Sequence, residues 1–561
     1  MEKIWLKSWP AGVPKQLNYI DEPIFRVLSG HARLAPGRVA VNYYGRAITY
    51  GELDRLTDCF AASLVELGIR KGDRVSLYME NCPQLIIAMI GGWKAGAVMV
   101  PSNPMFLGDE LVYQLVDAGV ETIVLQDDIY PVFEAVKKRT PVENVIVTGR
   151  KDFLPGTPTL PPHHTLLTAP IDAPGALPFK DMLSGKKTGF TGMEPGMDDL
   201  ALLMYTAGTT GMPKGAMISH RNLISNTAGS AAWVDGCPGD IHLAVLPLFE
   251  VTGLVHSMAM PLYTGGTIIL LARFETETVL EAVERYRCTH WAGIATMSIA
   301  VVNYPNVAGW DLTSLRYCLT NGSPEVMKFF RQLTGAKLIN GYGLSETISQ
   351  VTLVPPEKPR TGSVGIPVQE TDIKIVDIDD RERELPPGEE GELMVKGPQV
   401  MQGYWNRPGE TRRALRDGWL ATGDVACVDE DGYVYIVGRK KELIKPSGFI
   451  IFPQEVENFL YEHPAVAEAV VVGIPDPYRI ETVKAYIVLR QEYAGKISEQ
   501  DIIEWSRRKM AAYKYPRVVE FVPELPHNGN GKVNRCFVAD MNKSCYGLNR
   551  NPGGIKEEFD C

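Results

Sequence analysis

The sequence predicts an α/β protein, with a large layered N-terminal domain followed by a small α+β domain. Three observations predict it. Short apolar runs alternate with helical patterns through most of the chain, as expected of strands joined by crossover helices. After Gln369 the pattern changes to short strands separated by Gly, Pro and Asp turns. The 561 residues, 45% apolar and 22% charged, allow several globular domains with sizeable cores.

In chain order, Arg74–Tyr78 reads as a strand, Pro83–Lys94 as a helix and Ala97–Val100 as a buried strand. Further strand patterns lie at Thr122–Leu125, Val145–Thr148, Leu202–Tyr205, Ile241–Leu246, Thr267–Leu271, Trp291–Ile294, Arg316–Leu319 and Lys337–Ile339. Pro155–Pro178 holds seven prolines and reads as a surface excursion. Its His163–His164 pair has no further metal ligand at suitable spacing and reads as part of a solvated loop. Beyond Gln369, strands are expected at Ile373–Val376, Glu392–Lys396 and Tyr433–Val437. A helix begins at Pro453, which a first turn tolerates, with Val456, Phe459 and Leu460 on one face. Strands Ala469–Val472 and Val483–Leu489 and a helix from Glu499 to Tyr513 follow. The tail after Asn542, rich in Asn, Gly and Lys, reads as mobile.

A formal charge of −10 excludes a general nucleic-acid binder, which needs a basic surface. Nine scattered cysteines with no CxxC signal neither a zinc ribbon nor a disulfide framework. With no signal peptide visible, a cytoplasmic location with reduced thiols is the expectation. The uncharged stretch Val251–Ala272 reaches membrane-spanning length, but Pro261, Thr264, Gly265 and Gly266 break it.

The chemistry concentrates in Tyr205-Thr206-Ala207-Gly208-Thr209-Thr210-Gly211-Met212-Pro213-Lys214-Gly215. Glycines let a backbone approach phosphate closely, hydroxyls and N–H groups donate to its oxygens, and Lys214 adds charge. The spacing is not that of a Walker A loop. No G-x-S-x-G supports a serine hydrolase either.

This segment resembles the phosphate loop of the adenylate-forming superfamily, which includes acyl-CoA synthetases, firefly-type luciferases and peptide-synthetase adenylation domains. Four further motifs resemble that family in order. They are Asn340-Gly341-Tyr342-Gly343-Leu344-Ser345-Glu346-Thr347, Gly418-Trp419-Leu420-Ala421-Thr422-Gly423-Asp424, the stretch from Gly438 to Gly448, and Pro526-His527-Asn528-Gly529-Asn530-Gly531-Lys532-Val533-Asn534-Arg535. The resemblance implies an N-terminal AMP-binding domain over 1–440, a mobile C-terminal domain over 441–545 and a tail over 546–561.

It also implies roles. Thr206, Gly208, Thr209, Thr210, Gly211, Lys214 and Ser345 would meet phosphates, and Glu346 with Thr206 would hold Mg²⁺. Asn340, Gly341, Tyr342 and Gly343, with the turn Gly322-Ser323-Pro324, would line adenine. Asp424 would accept from the ribose hydroxyls, with Arg439 nearby. Lys532 would stabilise charge at the α-phosphate during acyl-AMP formation. Lys441 would be the hinge, and Lys445 would enter when the CoA thiol attacks, with Gly448 beside the pantetheine arm. Arg439, Lys440, Lys441 and Lys445 would also offer charge to CoA phosphates.

One position departs from the family. Glu250 stands beside the acyl and CoA pocket where relatives usually carry His or an aromatic residue. A carboxylate there disfavours an acid substrate unless it is protonated or paired. Lys3–Pro14 and Pro101-Ser102-Asn103-Pro104 resemble bacterial long-chain fatty acid:CoA ligases, which favours a medium- or long-chain fatty acid as the substrate. The alternatives are an aryl-CoA ligase, an acyl-AMP-forming enzyme with another acceptor, and a non-catalytic nucleotide- or acyl-binding protein. ATP, CoA and the acid are the expected partners. Peripheral membrane contact and a homodimer are compatible with the same reading.

Overall fold

The computed structural model describes residues 3–17, 19–184, 195–206, 212–444, 446, 451–476, 479–512, 514–526, 533 and 538. Two large sheets dominate the N-terminal part. In one, Lys337–Ile339, Tyr317–Leu319, His290–Ala292, Ile241–Ala244, Thr267–Leu270 and Val39–Tyr43 run parallel in that order, and Arg46–Thr49 closes the edge antiparallel. In the other, Leu177–Pro178, Asn144–Thr148, Thr122–Gln126, Arg74–Tyr78, Val98–Ser102 and Leu200–Thr206 run parallel. Lys214–Ser219 pairs back antiparallel on Leu200–Thr206.

Both sheets bury apolar faces in one core together with helix Pro83–Lys94. Every residue of that helix is buried, which is why its sequence is apolar on all sides. Its one charge, Lys94, is matched by Asp54 and Asp58 at 2.6 Å each, so the ammonium enters the interior paired. Helix His220–Trp233 starts at Ser219, whose hydroxyl accepts from the Asn222 N–H at 3.1 Å. Such a cap contributes about 1 kcal/mol.

The suspect apolar stretch resolves into helical Gly253–Ala259 and Met260–Thr264, then a left-handed Gly265 (φ 78°) and strand Thr267–Leu270. Among the described residues no helix is long and apolar enough to cross a membrane.

An antiparallel sheet of Asp372–Val376, Gly391–Lys396, Trp419–Val428, Leu415–Arg416 and Val434–Arg439 follows. Beyond it, strands Val466–Asp476, Ile480–Leu489 and Val518–Phe521 carry helices Pro453–Tyr461 and Glu499–Lys509 over a separate core. The large N-terminal domain and small C-terminal domain are therefore those the sequence predicts.

Local expectations shift for identifiable reasons. The strand expected at Trp291–Ile294 is His290–Ala292, because Ile294 turns out to lead helix Ala295–Val302. The helix expected to reach Tyr513 ends at Lys509, where extended Met510 (φ −124°) drops its side chain into the C-terminal core. The proline-rich excursion is pinned: Leu160 and Leu166 are buried, and the Thr159 N–H donates to the Tyr44 carbonyl at 2.9 Å. His163 is buried too, not solvated, and its Nε2 lies 3.8 Å from Glu275. Linear spacing could not reveal a neighbour more than a hundred residues away.

Candidate active site

The sheets meet the C-terminal unit across a cleft of about 2260 Å³. Thr206, Lys214, Glu250, Asn340, Gly341, Gly343, Ser345, Glu346, Arg439 and Lys441 all line it. So does Val533, the neighbour of Lys532. Gly208, Thr209, Thr210, Gly211, Lys445, Gly448 and Lys532 lie outside the described residues.

The phosphate-loop segment is held at both ends. Thr206 ends its strand and Lys214 begins the next, the two being paired in register. On the far side the Trp405 N–H donates to the Gly215 carbonyl at 2.8 Å and the Met217 N–H to the Gly403 carbonyl at 2.8 Å. Behind the strand, Asp117 accepts from Tyr205 Oη (2.8 Å) and pairs with Arg407 (2.6 Å). The flanks of the loop thus stand on rigid sheet and a buried carboxylate.

Lys214 pairs with Glu410 and lies 4.9 Å from the Tyr404 ring centroid. Tyr404 Oη donates to Glu346 Oε1 at 2.8 Å. The Lys214 ammonium holds the Glu410 carboxyl below its ordinary value. Burial, reinforced by the Glu346 carboxylate, pushes the Tyr404 phenol up, so it stays a donor. Glu346 keeps a second oxygen and further lone pairs at the cleft.

Asp424 and Arg439 face each other in adjacent antiparallel strands and form an ion pair at 2.7 Å. Tyr342 Oη donates to the other Asp424 oxygen. Burial raises the Asp424 carboxyl and Arg439 opposes it. The same burial, with Asp424 adjacent, drives the Tyr342 phenol well above its usual range. Ser323 caps helix Pro324–Thr334 by accepting from the Val326 N–H at 3.4 Å, with Pro324 in the first turn and Gly322 just ahead. Thr320 and Asn321, immediately before that turn, line the cleft.

Arg439 at the cleft wall is paired with Asp424 and Lys440 with Glu392, so each of these cations already has a carboxylate partner within the protein. Lys440 donates to Glu392 at 2.9 Å, and Arg381 grips the same carboxylate with two bonds of 2.8 and 2.9 Å. Lys441, the expected hinge, is the residue directly after this anchor and lines the cleft. In the C-terminal unit, Lys514 pairs with Glu455 and Lys509 lies 3.7 Å from Glu462.

Glu392 is fully buried, which would raise its carboxyl, but Arg381 and Lys440 outweigh burial and hold it low. A depressed folded pKa contributes stability above the unfolded value of about 4.3 and loses it as pH falls through the lower folded value. Glu392→Gln is expected to cost about 1–3 kcal/mol at pH 7 by stranding two cations. Its stability also falls less between pH 5 and the folded titration than that of the parent. Thermal melts at neutral and acid pH check this; equal melting points at pH 7 would contradict it.

Sequence reasoning missed Asp117, Arg381, Glu392, Tyr404, Arg407 and Glu410. Each acts through a partner brought near by folding, and no local spacing marks them.

The site supports comparison with known proteins. The family model described as AMP-binding enzyme matches residues 28–405, and that described as AMP-binding enzyme C-terminal domain matches 455–532. The chain is 38% identical over 552 residues to a long-chain-fatty-acid–CoA ligase of Bacillus subtilis (strain 168), covering 95% of this chain and 97% of that one. It is 35% identical to a feruloyl-CoA synthase of Amycolatopsis sp, covering 90% and 95%. Its fold matches o-succinylbenzoate coenzyme A synthetase from Bacillus subtilis, solved with ATP and magnesium ion, with a TM-score of 0.76, 28% identity and coverage of 93% and 99%.

Proposed function

The chain belongs to the AMP-binding enzyme family and is an acyl-CoA ligase using ATP, CoA and a carboxylic acid, and from that premise we propose that its acid is a medium- or long-chain fatty acid. The observation that most supports this reading is the convergence on one cleft of Thr206, Lys214, Glu346, the neighbour of Lys532 and Arg439, which is paired with the buried Asp424 behind it.

In the first half-reaction the acid's carboxylate attacks the α-phosphorus of ATP, and pyrophosphate leaves. Crowding of negative charge limits this step, so catalysis rests on positioning and charge stabilisation. Lys532 supplies the positive charge at the α-phosphate. Lys214 exchanges Glu410 for the polyphosphate. Asp424 keeps lone pairs for the ribose hydroxyls beyond those taken by Tyr342 and Arg439. The Glu346 carboxylate and Thr206 hydroxyl are oxygen donors at the cleft, which fits Mg²⁺. When bound there the ion would neutralise phosphate charge.

In the second half-reaction the CoA sulfur attacks the acyl carbon, the mixed anhydride breaks, and AMP leaves. The C-terminal domain, 441–545, turns about Lys441, and Lys445 replaces Lys532 in the site. We also infer a cytoplasmic location from the scattered thiols.

The test is pyrophosphate release with a panel of acids, with and without CoA. Release with fatty acids, and CoA esters when CoA is added, is the expected result. Release without ester formation would point to another acceptor, and no release with any acid would end the ligase reading. The aryl-CoA alternative is favoured by the feruloyl-CoA synthase likeness, and preference for aryl acids in the panel would establish it.

A further inference from the structure

Resting on this ligase reading, we propose that the activated acid carries a neutral hydrogen-bonding group, a hydroxyl or carbonyl, at the end remote from its carboxylate. That group docks in a histidine-walled cavity behind the cleft.

The cavity is built on the first sheet. His242 and His290 are register partners in adjacent parallel strands, so their rings leave the same face and stack with centroids 4.5 Å apart. Ser230 from helix His220–Trp233 and His256 from helical Gly253–Ala259 close the other side. The free space is about 30 Å³, enough for a hydroxyl-sized group or one to two waters.

Its wall is polar and unsatisfied. Ser230 Oγ and His242 Nε2 are buried with no hydrogen-bond partner among the described residues. Buried polar atoms are ordinarily bonded, so two facing one small space point to a missing partner. Burial holds the His256 and His290 imidazoles at about 4 and His242 well below its usual value, so all three are neutral at pH 7. A neutral imidazole offers one donor and one acceptor, the complement of a hydroxyl or carbonyl. A second carboxylate would enter without a matching cation, because the nearby Arg316 is already paired with Asp240 at 2.9 Å.

The cavity adjoins the cleft. Leu319 lines both. Gln350 lines the cleft, and its amide nitrogen bonds His256 Nε2 in the cavity wall. The strand that supplies His290 and Trp291 to the cavity continues directly into Gly293 and Ile294 of the cleft. An acid whose carboxylate lies in the cleft reaches the cavity with its far end past Leu319. An unsubstituted tail would leave Ser230 Oγ and His242 Nε2 unpaired and displace water without replacing its bonds.

The test compares kcat/KM for pyrophosphate release with matched acids: dodecanoate against 12-hydroxydodecanoate and dodecanedioate, and cinnamate against 4-hydroxycinnamate. The hydroxylated acid of at least one pair is expected to be preferred by about 10-fold or more. Ser230→Ala and, separately, His242→Leu are expected to shrink that ratio by at least about 3-fold. Equal or better use of the unsubstituted acids, or preference for the dicarboxylate, would overturn the proposal and leave the ligase reading intact. No pyrophosphate release with any acid would overturn both.

Discussion

Lys532→Ala is expected to lose acyl-adenylate formation by about 100- to 1000-fold and to keep thioester formation from supplied acyl-AMP. The reason is electrostatic. Negative charge accumulates at the α-phosphate when a carboxylate attacks it, and an ammonium placed there offsets that charge. Thioester formation starts from the finished anhydride and no longer needs it. Lys445→Ala is expected to show the reverse, with adenylation preserved and CoA transfer lost. The position of Lys440 supports this division. Its bond to buried Glu392 ties the chain to the N-terminal domain one residue before Lys441, so the proposed rotation would begin where that anchor ends. Pyrophosphate release and CoA-ester formation, measured separately, check both variants. Equal loss of both steps in each variant would contradict alternating lysines.

Gly343→Ala is expected to lose at least about 1–3 kcal/mol of stability and more than about 10-fold of adenylation activity. A Cβ on Gly343 would lie 1.6 Å from the Ser349 carbonyl oxygen and 2.4 Å from its carbon, a clash with backbone that no rotamer relieves. Strands Gly341–Leu344 and Ser349–Leu353 pair here with a register shift between Tyr342 and Gly343. The turn joining them already holds Ile348 at φ 42° and Ser349 at φ 96°, so it has little slack. Separating the strands moves Ser345 and Glu346, which sit in that turn at the cleft wall. Gly156→Ala, where a Cβ meets nothing within 4 Å, is the control and is expected to change stability by no more than about 0.5 kcal/mol. Melting curves and adenylation assays decide it; behaviour of Gly343→Ala like that of Gly156→Ala would contradict the steric account.

The parallel strands were legible because a buried strand is a short apolar run bounded by turn residues, a pattern carried by adjacent positions. Arg74–Tyr78, Pro83–Lys94 and Lys337–Ile339 have the bounds read from sequence. Element ends were less legible where long-range packing decided them, as at Met510. Within the site, the hydroxyl- and glycine-rich loop and the Asn340–Thr347 motif could be read as chemistry because their functional groups are consecutive. The side chains that hold them could not. Tyr404 on Glu346, Glu410 on Lys214 and Glu392 beneath Lys440 are pairings between residues roughly fifty to two hundred positions apart.

The sequence by itself determined the two-domain α/β architecture and put forward candidate reacting groups, since both reside in local runs of residues whose conformational and chemical preferences act over a few positions. Only the tertiary structure decided which charges are already paired, as Arg439 is with Asp424, and which polar atoms are left wanting, as Ser230 Oγ and His242 Nε2 are. Those outcomes depend on desolvation and on distances of a few ångströms between strands far apart in the chain, and neither exists until the sheets have packed.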